Sequence, residues 1–250
     1  MIACPAINIA GVALCELTRQ KIKVIFCDEK RNPYGELTNY YGCYNCAKKL
    51  KMQIEWNKDV ISSVNTAIIA AKIANQAKLL RKFGFDDRAE IIEDYLSEIE
   101  LNDETNREGH AAKVYFNTLF GKGFNRNDSN DINAALNYGY SIVLSDINRA
   151  VVGCGRLTQI GINHRNEFNE FNFSCDLIEP WRVIVDEFVF SQGKRPFDKK
   201  YKFELVGLLN KRVQYDRDYS MHDAISVYVK NVIDCLDRGN TEKLLFYDFL

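Results

Sequence analysis

DVISSVNTAIIAAKIANQAKLLRK, Asp59 to Lys82, is the stretch whose reading decides the fold class of this chain. Its apolar residues return every three to four positions, the period of one long amphipathic helix, and Gly84 closes it. Helical patterns follow over Asp86–Leu101, Asn106–Phe120, Asp131–Gly153, Asp176–Phe190 and Tyr219–Leu236. The chain holds only 4 prolines in 250 residues, and few segments alternate as strands do. Residues 58–250 therefore read as one large helical domain.

The pattern changes upstream. Ile7 to Gln20 has helical periodicity, and Ile22 to Cys27 (IKVIFC) reads as a short buried strand. Asn32-Pro33-Tyr34-Gly35 reads as a turn. A lone strand leaves both edges unpaired, so residues 1–42 read as a partial α/β domain whose sheet other strands complete. Residues 43–57 read as a linker. The expected fold class is α+β, mainly α.

Composition excludes little. Lys and Arg number 33 against 34 Asp and Glu, a net charge of -1, so nucleic-acid binding must rest on local patches. The Asp86–Leu101 helix is acidic and should stay solvated, away from phosphates. The segment 194–212 is the opposite: Lys194, Arg195, Lys199, Lys200, Lys202, Lys211 and Arg212 stand against Asp198 and Glu204. It reads either as a solvated surface or as a phosphate-contacting one. The chain is too long for a disulfide-stapled miniature. Its 8 cysteines, with Cys15, Cys27, Cys154 and Cys235 in apolar runs, read as reduced core residues of a cytoplasmic protein. Cys43 and Cys46 form a single Cys-x-x-Cys without the second pair that zinc needs. No run of about 18 apolar residues exists to span a membrane. The apolar start lacks the basic flank and the small residue before Cys15 that a signal or lipoprotein site requires.

The chain has 3 histidines, His110, His164 and His222, and each alone is explained as a satisfied polar group. His164 has different company. It lies in the polar stretch Gly161-Ile-Asn-His-Arg-Asn166, just before Asp176-Leu-Ile-Glu179-Pro-Trp-Arg182. Asp176 and Glu179, three apart, share a face at a predicted helix start, where capping alone would account for them. Glu108, in Asn106-Arg-Glu-Gly-His-Ala-Ala-Lys-Val-Tyr-Phe116, stands in a first turn too. Two carboxylates and an imidazole on two helix starts can converge on a hard divalent cation.

Taken together, these stretches resemble the integrase family of CRISPR adaptation, its type II branch in particular. Residues 106–116 look like the family's first metal-ligand motif and 161–182 like its second. Asp131–Tyr140 is similar to the helix between them, and Val24–Asp28 to a strand of the family's N-terminal sheet. The resemblance implies that Glu108, His164 and Glu179 hold a catalytic Mg2+ or Mn2+, with Asp176 and Arg182 assisting. It implies a homodimer, a small second adaptation protein as partner, and double-stranded DNA with free 3′ ends and the CRISPR repeat as substrates. Family members usually begin with several more strands, so the N-terminal sheet is expected to be truncated.

The implied reaction is transesterification: a 3′-hydroxyl attacks a phosphodiester, or water does so in a nuclease. Lys113, Arg165, Arg182, Lys194 and Arg195 are the expected DNA contacts. Two rivals stand beside this reading. His222-Asp223, with His110 or His164 and Asp234 or Asp237, would make a His-Asp metal phosphohydrolase. Alternatively, the chain is a non-catalytic DNA-binding assembly subunit.

Overall fold

In the computed structural model, residues 2, 4, 6–30, 33–40 and 45–249 are described. The chain is α+β and mainly helical, as expected. The N-terminal part holds α1 (Gly11–Arg19), β1 (Val24–Cys27) and β2 (Pro33–Leu37). β1 and β2 pair antiparallel, with an irregularity between Phe26 and Cys27. The other edge of β1 takes a parallel bridge from Ile2, whose N–H donates to the Ile25 carbonyl at 2.7 Å. The turn expected at Pro33–Gly35 is strand instead, with Pro33 at its first position, where a missing N–H does least harm; Asn32 lies outside the described residues. α1 buries no residue, so Cys15 is exposed rather than in the core. Cys27 and Cys154 are half-buried, and of the four cysteines expected inside only Cys235 is buried. No disulfide joins the described cysteines; Cys43, and with it the Cys-x-x-Cys, lies outside them.

The expected linker carries α2 (Cys46–Ile54), which docks on the helical body through one buried side chain. Gln53 donates to the carbonyls of Leu157 (2.9 Å) and Ile160 (3.1 Å) and accepts from the Leu157 N–H (2.9 Å). Three residues after Gln53 the chain reaches Trp56, whose indole N–H donates to Asp237 at 2.9 Å.

The body is built round α3 (Lys58–Lys82), capped by the Asn57 side chain, which accepts from the N–H groups of Asp59 and Val60. The sequence reads as one apolar face, yet α3 buries residues on several sides, Val64, Ile68, Ile69, Ile73, Leu79 and Leu80 among them. The reason is its neighbours. α4 (Asp86–Ser97), α5 (Arg107–Phe120), α8 (Arg182–Ser191) and α10 (Met221–Arg238) all pack against it. The acidic residues of α4 are exposed, as expected, and Arg81 of α3 pairs at the surface with Glu93 at 2.6 Å and Asp86 at 3.3 Å.

α6 (Asp131–Gly153) is the second buried axis and contacts α8, α9 (Lys199–Gly207) and α10. Its Gly139 is required: a Cβ there would stand 2.4 Å from Cγ1 of Val185 on α8. A hairpin of β3 (Arg212–Gln214) and β4 (Asp218–Ser220) precedes α10. Ser220 caps α10 by accepting from the Asp223 N–H at 3.1 Å, while its hydroxyl donates to the Asp223 carboxylate.

The helix expected over Asp176–Phe190 is three pieces: α7 (Asn172–Leu177), a 3-10 turn (Glu179–Trp181) and α8. Pro180 has no N–H to continue an α-helical ladder. Its carbonyl is instead claimed from outside, by the Asn75 amide at 3.1 Å and the Tyr247 hydroxyl at 2.7 Å. This break sets the direction of Glu179.

Candidate metal centre

Glu108 stands in the first turn of α5, but capping does not employ it. That role belongs to Asp103, whose carboxylate accepts from the N–H groups of Arg107 (2.7 Å) and Glu108 (2.9 Å). The Glu108 carboxylate turns to α3, where Oε1 lies 2.5 Å from the Lys72 ammonium. Glu179 points to the same place. Its residue is 8% exposed, and Oε2 also lies 2.5 Å from Lys72 Nζ. The other oxygen, Oε1, accepts from Arg182 at 3.0 Å. Burial would raise the Glu179 carboxyl, but Lys72 and Arg182 outweigh it and hold it down to about 2.

Lys72 is the residue that sequence reasoning missed. Nothing marks a single lysine in a long helix. One turn on from it, Asn75 grips Pro180, so this face of α3 fixes both the backbone and the carboxylate of the Glu179–Trp181 turn.

His164 lies in the loop between α6 and α7. Gln53 and the side chain of Asn172 hold that loop; the Asn172 amide donates to the carbonyls of Gln159 (3.1 Å) and Asn166 (2.9 Å). Its centre is Asp176. Instead of capping a helix start, Asp176 sits in the last turns of α7 and accepts from the backbone of Ile162 (2.7 Å), Asn163 (3.1 Å) and His164 (2.9 Å). Its Oδ1 is also 2.6 Å from His164 Nδ1. Gly161 permits this wrapping, because a Cβ there would meet Asp176 Oδ2 at 2.8 Å and the His164 carbonyl at 2.5 Å. A proton on Nδ1 toward Asp176 leaves Nε2 with its lone pair outward, the tautomer that binds metals. The hydrogen bond to Asp176 raises the His164 pKa against the opposing effect of burial, and the carboxylates of Glu179 and Glu108 add to it. Both glutamates thus act electrostatically on the His164 imidazole.

Among the described residues, no three His, Cys, Asp or Glu donors stand close enough to enclose an ion as they are. The Lys72 ammonium contacts both glutamates. The donor types nevertheless suit a hard divalent cation: two carboxylate oxygens meet at one cationic position, and a His164 with its proton on Nδ1 would add Nε2. Glu179 Oε2 is buried, and its partner is the Lys72 ammonium 2.5 Å away.

Arg182 also lies 4.6 Å from the Tyr140 ring centroid. Tyr140 donates to Asp186, which accepts from Tyr115 as well, at 2.9 Å. Burial raises Asp186 to about 6 against these bonds. Since Tyr115 is on α5 with Glu108, the network ties α5 to α8 and so one glutamate's helix to the other's arginine.

The expected DNA contacts scatter. Arg165 is exposed beside His164, on the rim of a depression of about 430 Å³ that also includes Gly161, Asn166, Asn169 and Asn172. Arg182 is committed to Glu179 and Tyr140. Lys113 is exposed but lies about 140° round α5 from Glu108. Lys194 is exposed, whereas Arg195 is tied to Glu204 at 2.6 Å. Elsewhere in the basic segment, Lys211 pairs with Glu187 and Arg212 with Asp218.

The His-Asp pair is not assembled as the rival reading requires. His222 Nδ1 lies 2.9 Å from Asp146 of α6, while Asp223 is engaged with Ser220 in capping α10. His110 is exposed and packs near Tyr95, with ring centroids 5.8 Å apart.

Three comparisons bear on this arrangement. The family described as CRISPR associated protein Cas1 matches residues 2–206. A "CRISPR-associated endonuclease Cas1" of Neisseria meningitidis serogroup C (strain 8013) is 31% identical over 240 residues, 94% of this chain and 78% of that protein. In fold, the chain resembles a "Casposase bound to integration product", with TM-score 0.76 at 20% identity, over 94% of this chain and 77% of that one. It also resembles a chain of a "Cas6-RT-Cas1--Cas2 complex", with TM-score 0.73 at 17% identity, over 94% of this chain and 30% of that one. No helix among the described residues is long and apolar enough to cross a membrane.

Proposed function

Because the chain belongs to the CRISPR-associated Cas1 family, we propose that it is a metal-dependent DNA endonuclease and integrase of CRISPR adaptation. It inserts short DNA fragments into the array by attack of a free 3′-hydroxyl on a target phosphodiester. One phosphodiester bond forms as another breaks, so no high-energy cofactor is consumed. The observation that carries the reading is that Glu108 and Glu179 meet at one cationic position, while the His164 ring is held by Asp176 through Nδ1.

Glu108, His164 and Glu179 are the residues that would hold Mg2+ or Mn2+. When bound, such an ion polarises a phosphoryl oxygen and stabilises the leaving oxygen. The protein does the rest. Asp176 fixes the His164 tautomer and ring plane. Arg182 keeps Glu179 ionised and in place. Arg165 lies where a phosphate entering the His164 depression would meet a cation. Partners follow the same reading: double-stranded DNA with free 3′ ends, the CRISPR repeat, a second copy of this chain, and the small second adaptation protein. The setting proposed is the cytoplasm.

The direct test mixes short DNA bearing free 3′-hydroxyls with a supercoiled target, the second adaptation protein and Mn2+. Joined products are expected, and chelation with EDTA should abolish them. Joining that persists in EDTA would remove the metal from the reading. Absence of joining under every metal would favour the non-catalytic assembly subunit.

A pH dependence follows. His164 binds metal only when neutral, and its pKa lies above the ordinary 6.5. Joining should therefore weaken on acidification from above pH 6.5, and Asp176→Asn should move that limb to lower pH. The metal-free fold has the opposite sign. The Asp176–His164 pair stabilises it fully below pH 6.5 and loses that contribution as pH rises through the raised value. An acid limb that Asp176→Asn leaves in place would assign it to another group.

A further inference from the structure

Two cations compete for the same pair of oxygens in this site. Lys72 Nζ is 2.5 Å from Glu108 Oε1 and 2.5 Å from Glu179 Oε2. Its side chain is 13% exposed, so the ammonium is held inside the site rather than drifting over it. Glu179 is paired twice, by Lys72 at Oε2 (2.5 Å) and by Arg182 at Oε1 (3.0 Å), so one cation stays with it if the other leaves. What Lys72 supplies is positive charge midway between two carboxylates from different helices. Without a cation there, two half-buried anions would face each other and push α5 away from the Glu179 turn.

We propose that Lys72 is a resident place-holder for the catalytic metal: it holds Glu108 and Glu179 together in the metal-free protein and is displaced when a divalent cation binds. The inference rests on the metal reading above. Its physical basis is repulsion. A divalent ion held by Glu108 and Glu179 would place two positive charges within a few ångströms of the Lys72 ammonium, and that repulsion favours departure of the lysine. The flexible four-carbon stem of lysine allows departure in a way that a bidentate arginine would not. The consequence is a preformed site with deliberately reduced metal affinity.

The test is calorimetric titration of Mn2+, without DNA, into the full chain and into Lys72→Met and Lys72→Gln, with melting curves in EDTA and in saturating Mn2+. The variants should bind Mn2+ roughly tenfold more tightly or better, as expected when an opposing charge is removed. They should melt below the parent in EDTA and recover with Mn2+. A parent that binds Mn2+ as tightly as the variants, or more tightly, overturns the place-holder and leaves the metal reading intact. If neither parent nor variants bind Mn2+, both readings fall. Should the variants not fold, the parent itself decides. An amine-directed label, read by mass spectrometry, should modify Lys72 more readily in Mn2+ than in EDTA. Equal protection in both would overturn the displacement.

Discussion

Substitution of His164 by alanine is expected to lower strand transfer by roughly a thousandfold, the equivalent of the several kcal/mol that a catalytic metal contributes to a phosphoryl transition state. The fold should survive, because the His164 side chain is 43% exposed and the loop is held by backbone groups and Asp176 rather than by the imidazole. Melting within a degree or two of the parent, together with lost joining, would separate chemistry from stability. Glu179→Gln should lose activity comparably, because it removes the charge while keeping the shape. Unlike His164→Ala, it also leaves Lys72 and Arg182 with less charge to pair, so some stability should go too. Full activity in His164→Ala would remove the imidazole from the ligand set and with it the core of the proposed centre.

Asp176→Ala should produce the largest loss of stability at any single polar position near the site. The Asp176 side chain is 1% exposed and accepts from three backbone N–H groups and the His164 ring. Alanine strands all of these donors in a loop that has no water-facing alternative for Ile162. The cost is about 3–5 kcal/mol, which for a chain of this size lowers the melting midpoint by roughly 10 °C or more. Asp176→Asn keeps one acceptor oxygen and should recover part of the loss. It should still lower the His164 pKa, since the carboxylate that raises it is gone. A thermal melt of Asp176→Ala indistinguishable from the parent would show that the loop is held by Gln53 and Asn172 alone.

These two residues show how much of the centre was legible in one dimension. Glu108, His164 and Glu179 stood out because residue types and order matched a known pattern, and the structure directs both glutamates at one point. Asp176 was legible only as a helper, and its capping role was misread. α7 starts at Asn172, so Asp176 lies near its end and accepts from the His164 loop, and the Glu179–Trp181 break then separates it from α8. That break depends on Asn75 and Tyr247 claiming the Pro180 carbonyl, and no local pattern announces those partners. Ile7–Gln20 showed helical periodicity and forms α1, but α1 buries nothing. The run records hydrophobicity, whereas burial depends on what packs above it.

What the sequence determined by itself was the long helices, the mainly helical α+β class and the family motifs with their carboxylates and imidazole. These follow from period, composition and residue order, which are local properties of the chain. Only the tertiary structure decided that α3 runs through the centre, that Asp186 of α8 holds Tyr115 of α5 and Tyr140 of α6, and that Lys72 stands between Glu108 and Glu179. The physical reason is that a salt bridge or a buried hydrogen bond is set by distance in space. Lys72, Glu108 and Glu179 meet because three helical segments pack on one another, and no spacing along the chain encodes that meeting.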